Sequence, residues 1–213
     1  MSDHAPAAHA HVHRDDYGSK LGMWFFIFTE ILLFGALFIV YAIYRFKNPD
    51  AFFAAGQQLS TVFGTINTVI LLVSSMTIAM SISALQQKHK KLAIWLMVIT
   101  LVLASSFLVN KYFEWSAKFH HGIYPGSDEM AALVANDPLG QGKNLFFFLY
   151  YFMTGLHGAH VIIGMGFIIF VMRQVMRDEL THDNFARLEN AGLYWHLVDL
   201  IWIYLFPLFY LIH

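Results

Sequence analysis

One carboxyl group stands alone in a long apolar stretch near the start of the chain. Glu30 lies ten residues after Lys20, which at ~1.5 Å per helical residue places it ~15 Å further along a helix. Its helical neighbours Phe26, Ile27 and Phe34 supply no counter-charge, so the acid is expected to carry its proton for much of the time. Two interpretations are equally open: a proton-exchanging or reactive carboxyl, and a neutral acid hydrogen-bonded to a neighbouring helix.

Three imidazoles lie in later apolar stretches. His157 and His160 are three residues apart on one helical face, and His196 lies near the end of the chain. Such histidines could ligate a transition metal, but a redox centre built from imidazoles needs more of them. Because buried polar side chains in helix bundles commonly bond to one another, hydrogen-bonded packing histidines are the favoured interpretation and no metal site is predicted.

Other polar residues within the apolar stretches are expected to stabilise helix packing. Lys111 and Glu114 are three residues apart and are predicted to form an ion pair. Asp199 must face protein or water, because a charge at a helix centre costs roughly 2.5–3.5 kcal/mol to insert. A packing seam is marked by Asn67, Ser74 and Ser81, which recur every seven residues. The last stretch carries one polar stripe, confined to one half of it: Glu189, Gly192, His196 and Asp199. Aromatic residues near the ends of the stretches are expected to form interfacial belts: Trp24, Trp95, Trp115, Tyr194, Trp195 and Tyr210.

The elements that position these residues are five apolar stretches, each long enough to cross a hydrocarbon layer of ~30 Å. The sequence has 58% hydrophobic and 13% charged residues, a net charge of -1 and no cysteine. This composition excludes disulfides, iron–sulfur ligation and thiolate metal sites, and it gives no sign of a nucleic-acid surface. We therefore predict an all-α membrane protein with five transmembrane helices in one bundle, at about 21–44, 64–85, 92–115, 145–172 and 191–212.

The distribution of basic residues predicts the orientation of the bundle. Eight of the 13 Lys and Arg residues fall on the side of the N-terminus, including the short loop at residues 88–91. By the positive-inside rule the N-terminus is cytoplasmic, and the C-terminus and the loop at 119–142 are external. Residues 1–19 are expected to form a retained, disordered tail with His4, His9, His11 and His13, ahead of one membrane domain at 20–213.

Three segments together resemble the signatures of a known family. They are residues 20–34 around Glu30, residues 151–164 around His157 and His160, and residues 189–202 around Trp195, His196 and Asp199. These segments closely resemble cytochrome c oxidase subunit III of the haem–copper oxidases. Asn67-Thr68 and Glu114-Trp115 also fit the family pattern, so the resemblance covers nearly all of the chain after the tail.

The resemblance implies a subunit without haem or copper that packs on the catalytic subunit I and binds phospholipid. It is then expected to keep proton uptake fast and to protect the oxygen-reducing centre, while this chain alone lacks a catalytic centre. Subunit II, small subunits, membrane lipids and a larger respiratory supercomplex are further partners that the resemblance allows. Glu30 matches the family's carbodiimide-reactive carboxyl. Packing, lipid or subunit contacts are implied for Asn67, Glu114, His157, His160, Arg173, Tyr194, Trp195, His196 and Asp199.

The larger family members have seven helices, and the five apolar stretches of this chain are expected to match the last five of them. Five-helix members occur in bacterial oxidases of the cytochrome c and quinol types, so a multi-pass protein of the bacterial inner membrane is expected. One alternative is the related protein that accompanies nitric oxide reductases. Another is a free-standing transporter, although repeated halves and broken helices are not evident.

Overall fold

The computed structural model describes residues 16–181 and 184–211, and within them the chain is helical apart from its connections. Five of its helices are long and apolar enough to cross a membrane, which confirms the predicted number of spans. The helices are α1 (Asp16–Lys47), α2 (Pro49–Gly56), α3 (Thr61–Gln86), α4 (Lys90–His120), α5 (Asp128–Asn136), α6 (Gly140–Met176) and α7 (Ala186–Tyr210).

The predictions for the two chain ends lie partly outside the described residues. The predicted tail at 1–19 includes four histidines that fall in the undescribed residues 1–15, whereas residues 16–19 already belong to α1. The last helix ends at Tyr210, and residue 212 of the predicted span is again outside the described part.

Two short helices, α2 and α5, occupy connections that the sequence indicated only as turns or loops. Pro49 starts α2, where its fixed φ suits the first helical turn. Ser127 caps α5 by accepting a hydrogen bond from the Met130 N–H at 3.1 Å. Both helices pack against α6, and Phe52 of α2 is fully buried. Their stability therefore comes from tertiary packing. The hydrophobic pattern of a segment of eight or nine residues is too short to predict such packing.

The last helix, α7, lies at the centre of the bundle. It contacts α1, α3 and α6, while α4 packs mainly along α3 and also contacts α6. At one end of the bundle, Lys20 pairs with Glu189 at 2.9 Å and Lys90 pairs with Asp178 at 2.6 Å. We call this end the Lys20 face, and the end that carries α2 and α5 the opposite face.

The outer surface of the bundle is strongly apolar, as expected of a protein surrounded by lipid. Large side chains such as Phe25 and Trp95 are 64% and 67% exposed. The predicted aromatic belt is nevertheless wrong for Tyr194, Trp195 and Tyr210, which are all fully buried. The reason is that each has a hydrogen-bond partner inside the bundle, so its polar atom does not need the membrane interface.

Candidate functional site

The structure places Glu30 of α1 against His160 of α6. The Glu30 Oε2 and His160 Nε2 atoms are 2.9 Å apart, and the two side chains are 13% and 12% exposed. The other ring nitrogen of His160, Nδ1, lies 2.8 Å from the Leu156 carbonyl oxygen. Tyr194 of α7 donates to the His160 carbonyl at 3.1 Å, which ties the pair to the central helix.

These contacts restrict where the protons of the Glu30–His160 pair can lie. A carbonyl oxygen can only accept, so His160 Nδ1 must carry a proton and donate it to Leu156. One further proton is then shared between Nε2 and Oε2, either as a neutral acid with neutral imidazole or as carboxylate with imidazolium. Both forms have zero net charge, which lowers the cost of burial in the membrane. The arrangement can exchange a proton, and it also supplies the hydrogen bond to a neighbouring helix that the second interpretation of Glu30 requires.

A second cluster surrounds the Lys111–Glu114 ion pair, in which Lys111 Nζ lies 3.0 Å from Glu114 Oε2. The same ammonium donates to the hydroxyls of Tyr150 at 3.0 Å and Tyr210 at 2.6 Å. All three N–H donors of the lysine are therefore used. Each tyrosine in turn lies 2.7 Å from Glu114 Oε1 and donates to the carboxylate.

Both charges of this ion pair are buried, with side chains only 7% and 4% exposed. The Lys111 ammonium also lies 4.8 Å from the Tyr150 ring centre and 5.3 Å from that of Trp202, within cation–π range. A buried charge pair of this kind needs its remaining hydrogen bonds satisfied, and the tyrosines satisfy them. Sequence reasoning found the ion pair but missed Tyr150 and assigned Tyr210 to the interface, because nothing in their spacing links α6 and α7 to α4.

The three imidazoles of the spans lie in different surroundings. His157 is fully buried beside the rings of Phe107 and Trp202, with ring centres 5.6 and 5.2 Å away. Neither of its nitrogens has a hydrogen-bond partner among the described residues, so it packs without the expected hydrogen bond. His196 Nδ1 lies 2.6 Å from the Ser75 hydroxyl of α3. Within residues 16–181 and 184–211, no three His, Asp or Glu side chains are grouped as metal ligands.

The remaining predicted residues fall into packing and surface positions. Asn67 is buried and accepts a hydrogen bond from the Asn110 amide at 3.2 Å, which links α3 to α4. Trp195 donates to Ser74 at 3.1 Å, so the predicted seam on α3 packs against α7. Asp199 is only 3% exposed and faces protein, as the insertion cost requires. Arg173 is exposed near the end of α6, at the Lys20 face.

Comparison with known proteins gives a consistent set of relatives. The family described as cytochrome c oxidase subunit III matches residues 134–213. A cytochrome c oxidase subunit 3 from Alkalihalophilus pseudofirmus is 33% identical over 193 residues, which cover 90% of this chain and 85% of the relative. A probable quinol oxidase subunit 3 from Staphylococcus saprophyticus is 31% identical, with 91% and 89% covered.

A more distant relative extends the match to almost the whole chain. The cytochrome bo(3) ubiquinol oxidase subunit 3 from Pseudomonas aeruginosa is 27% identical over 214 residues, 99% of this chain and 94% of the relative. These relatives are named as oxidase subunits. Their names favour the oxidase-subunit hypothesis over a nitric oxide reductase companion or a transporter. The chain belongs to the cytochrome c oxidase subunit III family.

Proposed function

We propose that this chain is the non-redox third subunit of a proton-translocating haem–copper oxidase in aerobic respiration. It packs on subunit I, which carries haem and copper, and it supports proton uptake and the stability of the oxygen-reducing centre. The electron donor, cytochrome c or a quinol, is set by the other subunits. Relatives that are named as subunit 3 of both oxidase types support this proposal.

The observation that carries the proposal is that the two charged clusters of the spans, around Lys111 and around Glu30, are engaged with neighbours inside the chain. The Lys111 ammonium donates hydrogen bonds to Glu114, Tyr150 and Tyr210. His160 is hydrogen-bonded to both the Leu156 carbonyl and Glu30. Such an arrangement supports a packing and proton-handling subunit better than a transporter, which would present polar groups to a midplane substrate site.

We place the Lys20 face in the cytoplasm of a bacterial inner membrane. The larger share of basic residues at that end supports this orientation. Arg173 is exposed in the last turn of α6 at that end of the bundle, and an arginine fork suits the phosphate of a phospholipid. Subunit II, small subunits and bound phospholipid complete the proposed assembly.

A direct test is native purification through an affinity tag on this chain, followed by an optical spectrum and identification of copurifying proteins. The expected result is a stable complex with haem absorbance that belongs to another subunit. A nitric-oxide-reducing haem protein in its place would contradict the oxidase assignment. Recovery of the chain alone, with haem bound to it, would contradict the non-redox role.

The role of Glu30 is tested separately in the assembled oxidase. Glu30→Gln keeps a hydrogen-bonding group beside His160 but removes the exchangeable acid, so slower proton uptake with unchanged assembly is expected. Glu179→Gln, an exposed acid at the Lys20 face, is the matched control and should leave uptake unchanged. Equal uptake in the wild type and Glu30→Gln would favour the purely structural interpretation of this carboxyl.

A further inference from the structure

A groove of about 490 Å³ lies at the opposite face of the bundle, where α1 and α7 end. Its volume is in the usual range for a ligand site, ~300–1,000 Å³. Arg45 is the one charged residue among the described residues that line it, and most of the remaining lining is apolar. The groove is lined by Tyr41, Ala42, Arg45, Phe46, Pro49 and Leu208.

The floor of the groove is held together by contacts between helices. The hydroxyl of Tyr41, which is fully buried, donates a hydrogen bond to the Leu208 carbonyl and so ties α1 to α7. The Tyr41 ring also packs edge-on against Phe209 of α7 and Phe52 of α2, with ring centres 5.1 and 5.5 Å apart. The shape of the groove is therefore set by packed helices.

Arg45 lies at the membrane-surface end of this groove. It is exposed in the last turn of α1, and four residues separate it from Tyr41, which is ~6 Å further into the span. The candidate span Lys20–Lys47 has 28 residues and is ~42 Å long. Because a bilayer with its head groups is ~40–45 Å thick, the last turn of this helix lies among the head groups.

The charge of Arg45 has no counter-charge within the groove. Its guanidinium forms no ion pair and no side-chain hydrogen bond with a residue that the structure describes. Lys47 and Asp50, which carry opposite charges, line a separate polar depression and not this groove. The neighbouring Phe46 is 89% exposed. A cation beside an apolar floor suits a ligand with an anionic head and an apolar chain.

We propose that this groove binds an anionic phospholipid from the leaflet at the opposite face. The lipid phosphate accepts hydrogen bonds from the Arg45 guanidinium, whose planar fork suits two phosphate oxygens. One acyl chain lies along the apolar part of the groove, over Ala42 and Leu208. A head group with a net negative charge is favoured over a zwitterionic one, because no carboxylate among the described lining residues neutralises Arg45.

This site goes beyond the function proposed above. It lies at the opposite end of the bundle from Arg173, and it belongs to the other leaflet of the membrane. It also does not depend on the oxidase assignment, because the groove, the charge and the depth of Arg45 are properties of this chain alone.

The test uses the complex purified through a tag on this chain, in phosphatidylcholine nanodiscs that contain phosphatidylglycerol with a photoactivatable acyl chain. After irradiation, mass spectrometry of peptides locates the label. We expect label at the ends of α1 and α7 that form the groove. Unlabelled phosphatidylglycerol should compete with the probe, whereas additional phosphatidylcholine should not.

Three variants show whether the label depends on this groove. Arg45→Gln should reduce labelling by about tenfold, the scale of losing a hydrogen bond to a charged group. Lys47→Gln is the matched control, because it removes a positive charge two residues away that does not line the groove, and it should label as the wild type does. Ala42→Trp fills the groove but keeps Arg45, so it should also reduce labelling, and it serves as the test if Arg45→Gln fails to assemble.

Three results would overturn this site. The first is no label at these two helix ends in the wild-type complex, which would mean that another subunit covers the groove. The second is an equal loss of label in Lys47→Gln and Arg45→Gln, which would indicate only a general attraction to surface charge. The third is equal competition by both lipids. Because the measurement reads lipid labelling and not oxygen reduction, a failure here is distinguishable from a failure of the proposed oxidase function.

Discussion

Tyr150 connects the two charges of the buried Lys111–Glu114 ion pair, since its hydroxyl accepts from the ammonium and donates to the carboxylate. Tyr150→Phe leaves both groups short of one partner without changing the shape of the ring. The expected loss in free energy of unfolding is about 1–3 kcal/mol, measured on the detergent-solubilised complex. Tyr151→Phe, which removes a partly buried bond to the Ile123 carbonyl, is the control and should cost less. Equal losses would contradict the importance of the network.

Residue type identified the charged side chains that need a partner inside the bundle, but it did not predict which residues those partners are. Glu30, Lys111, Glu114 and Asp199 could be singled out because a charge in an apolar stretch is expensive. The partner of Glu30 is 130 residues away, and a single sequence contains no signal that brings α1 and α6 together. The only available indication for Tyr150 and Tyr210 was that a buried phenol needs a hydrogen-bond partner.

At the scale of helices, Gly164 controls how closely α6 approaches α7. A Cβ atom at this position would lie 2.9 Å from Trp195 Cε3 and 3.0 Å from Tyr194 Cε1, and both rings are fully buried. Gly164→Ala is therefore expected to lower the free energy of unfolding by about 1–3 kcal/mol through overpacking.

The same helix provides a matched control for that substitution. A Cβ atom at Gly166 meets nothing within 4 Å, so Gly166→Ala should be neutral or slightly stabilising, because alanine favours helix. The quantity to measure is the free energy of unfolding of each variant in detergent. Equal stability of Gly164→Ala and Gly166→Ala would show that the close approach of α6 to α7 does not limit the stability of the bundle.

The corner between α5 and α6 depends on a contact between Asp137, which lies outside the spans, and Lys143 in the first turn of α6. The Lys143 ammonium donates a hydrogen bond to the Asp137 carboxylate at 2.6 Å, and the Leu139 N–H donates a second one. These two bonds, the one from Lys143 foremost, hold the pKa of the Asp137 carboxyl below its ordinary value. Because the folded-state pKa is the lower one, the contact stabilises the chain above the unfolded-state pKa and is lost as pH falls through the folded-state value.

The stability difference between wild type and Asp137→Asn should accordingly shrink on acidification. Unfolding measured at a series of pH values tests this expectation. In a Lys143→Met background the largest cause of the lowered pKa is absent, so Asp137→Asn should have little further effect. A stability difference independent of pH would show that the contact does not stabilise this corner.

The long elements could be predicted from sequence, because the hydrophobic stretches are far longer than soluble helices need. Each of the five predicted spans overlaps one long helix, and the differences at the helix ends are a few residues. The hydrophobic pattern did not predict the short helices α2 and α5. It also did not predict the burial of Tyr194, Trp195 and Tyr210. Both depend on contacts between helices that are distant in sequence.

At the scale of the whole molecule, the proposed orientation can be tested with introduced cysteines, because the chain has none of its own. Gln87→Cys lies at the Lys20 face and Asp128→Cys at the opposite face, and both positions are exposed. A membrane-impermeant thiol reagent should label Gln87→Cys only in inside-out vesicles and Asp128→Cys only in right-side-out vesicles. The reverse labelling pattern would place the N-terminus outside.

If this chain supports an oxidase whose electron transfer takes place in its neighbour, the two functions should separate when the chain is removed from the purified complex and then added back. Haem absorbance and proton uptake are measured at each step. We expect unchanged haem absorbance, slower proton uptake and faster inactivation during turnover after removal, with uptake and stability restored by re-addition. Loss of haem together with this chain, or proton uptake unaffected by its removal, would contradict this separation of functions.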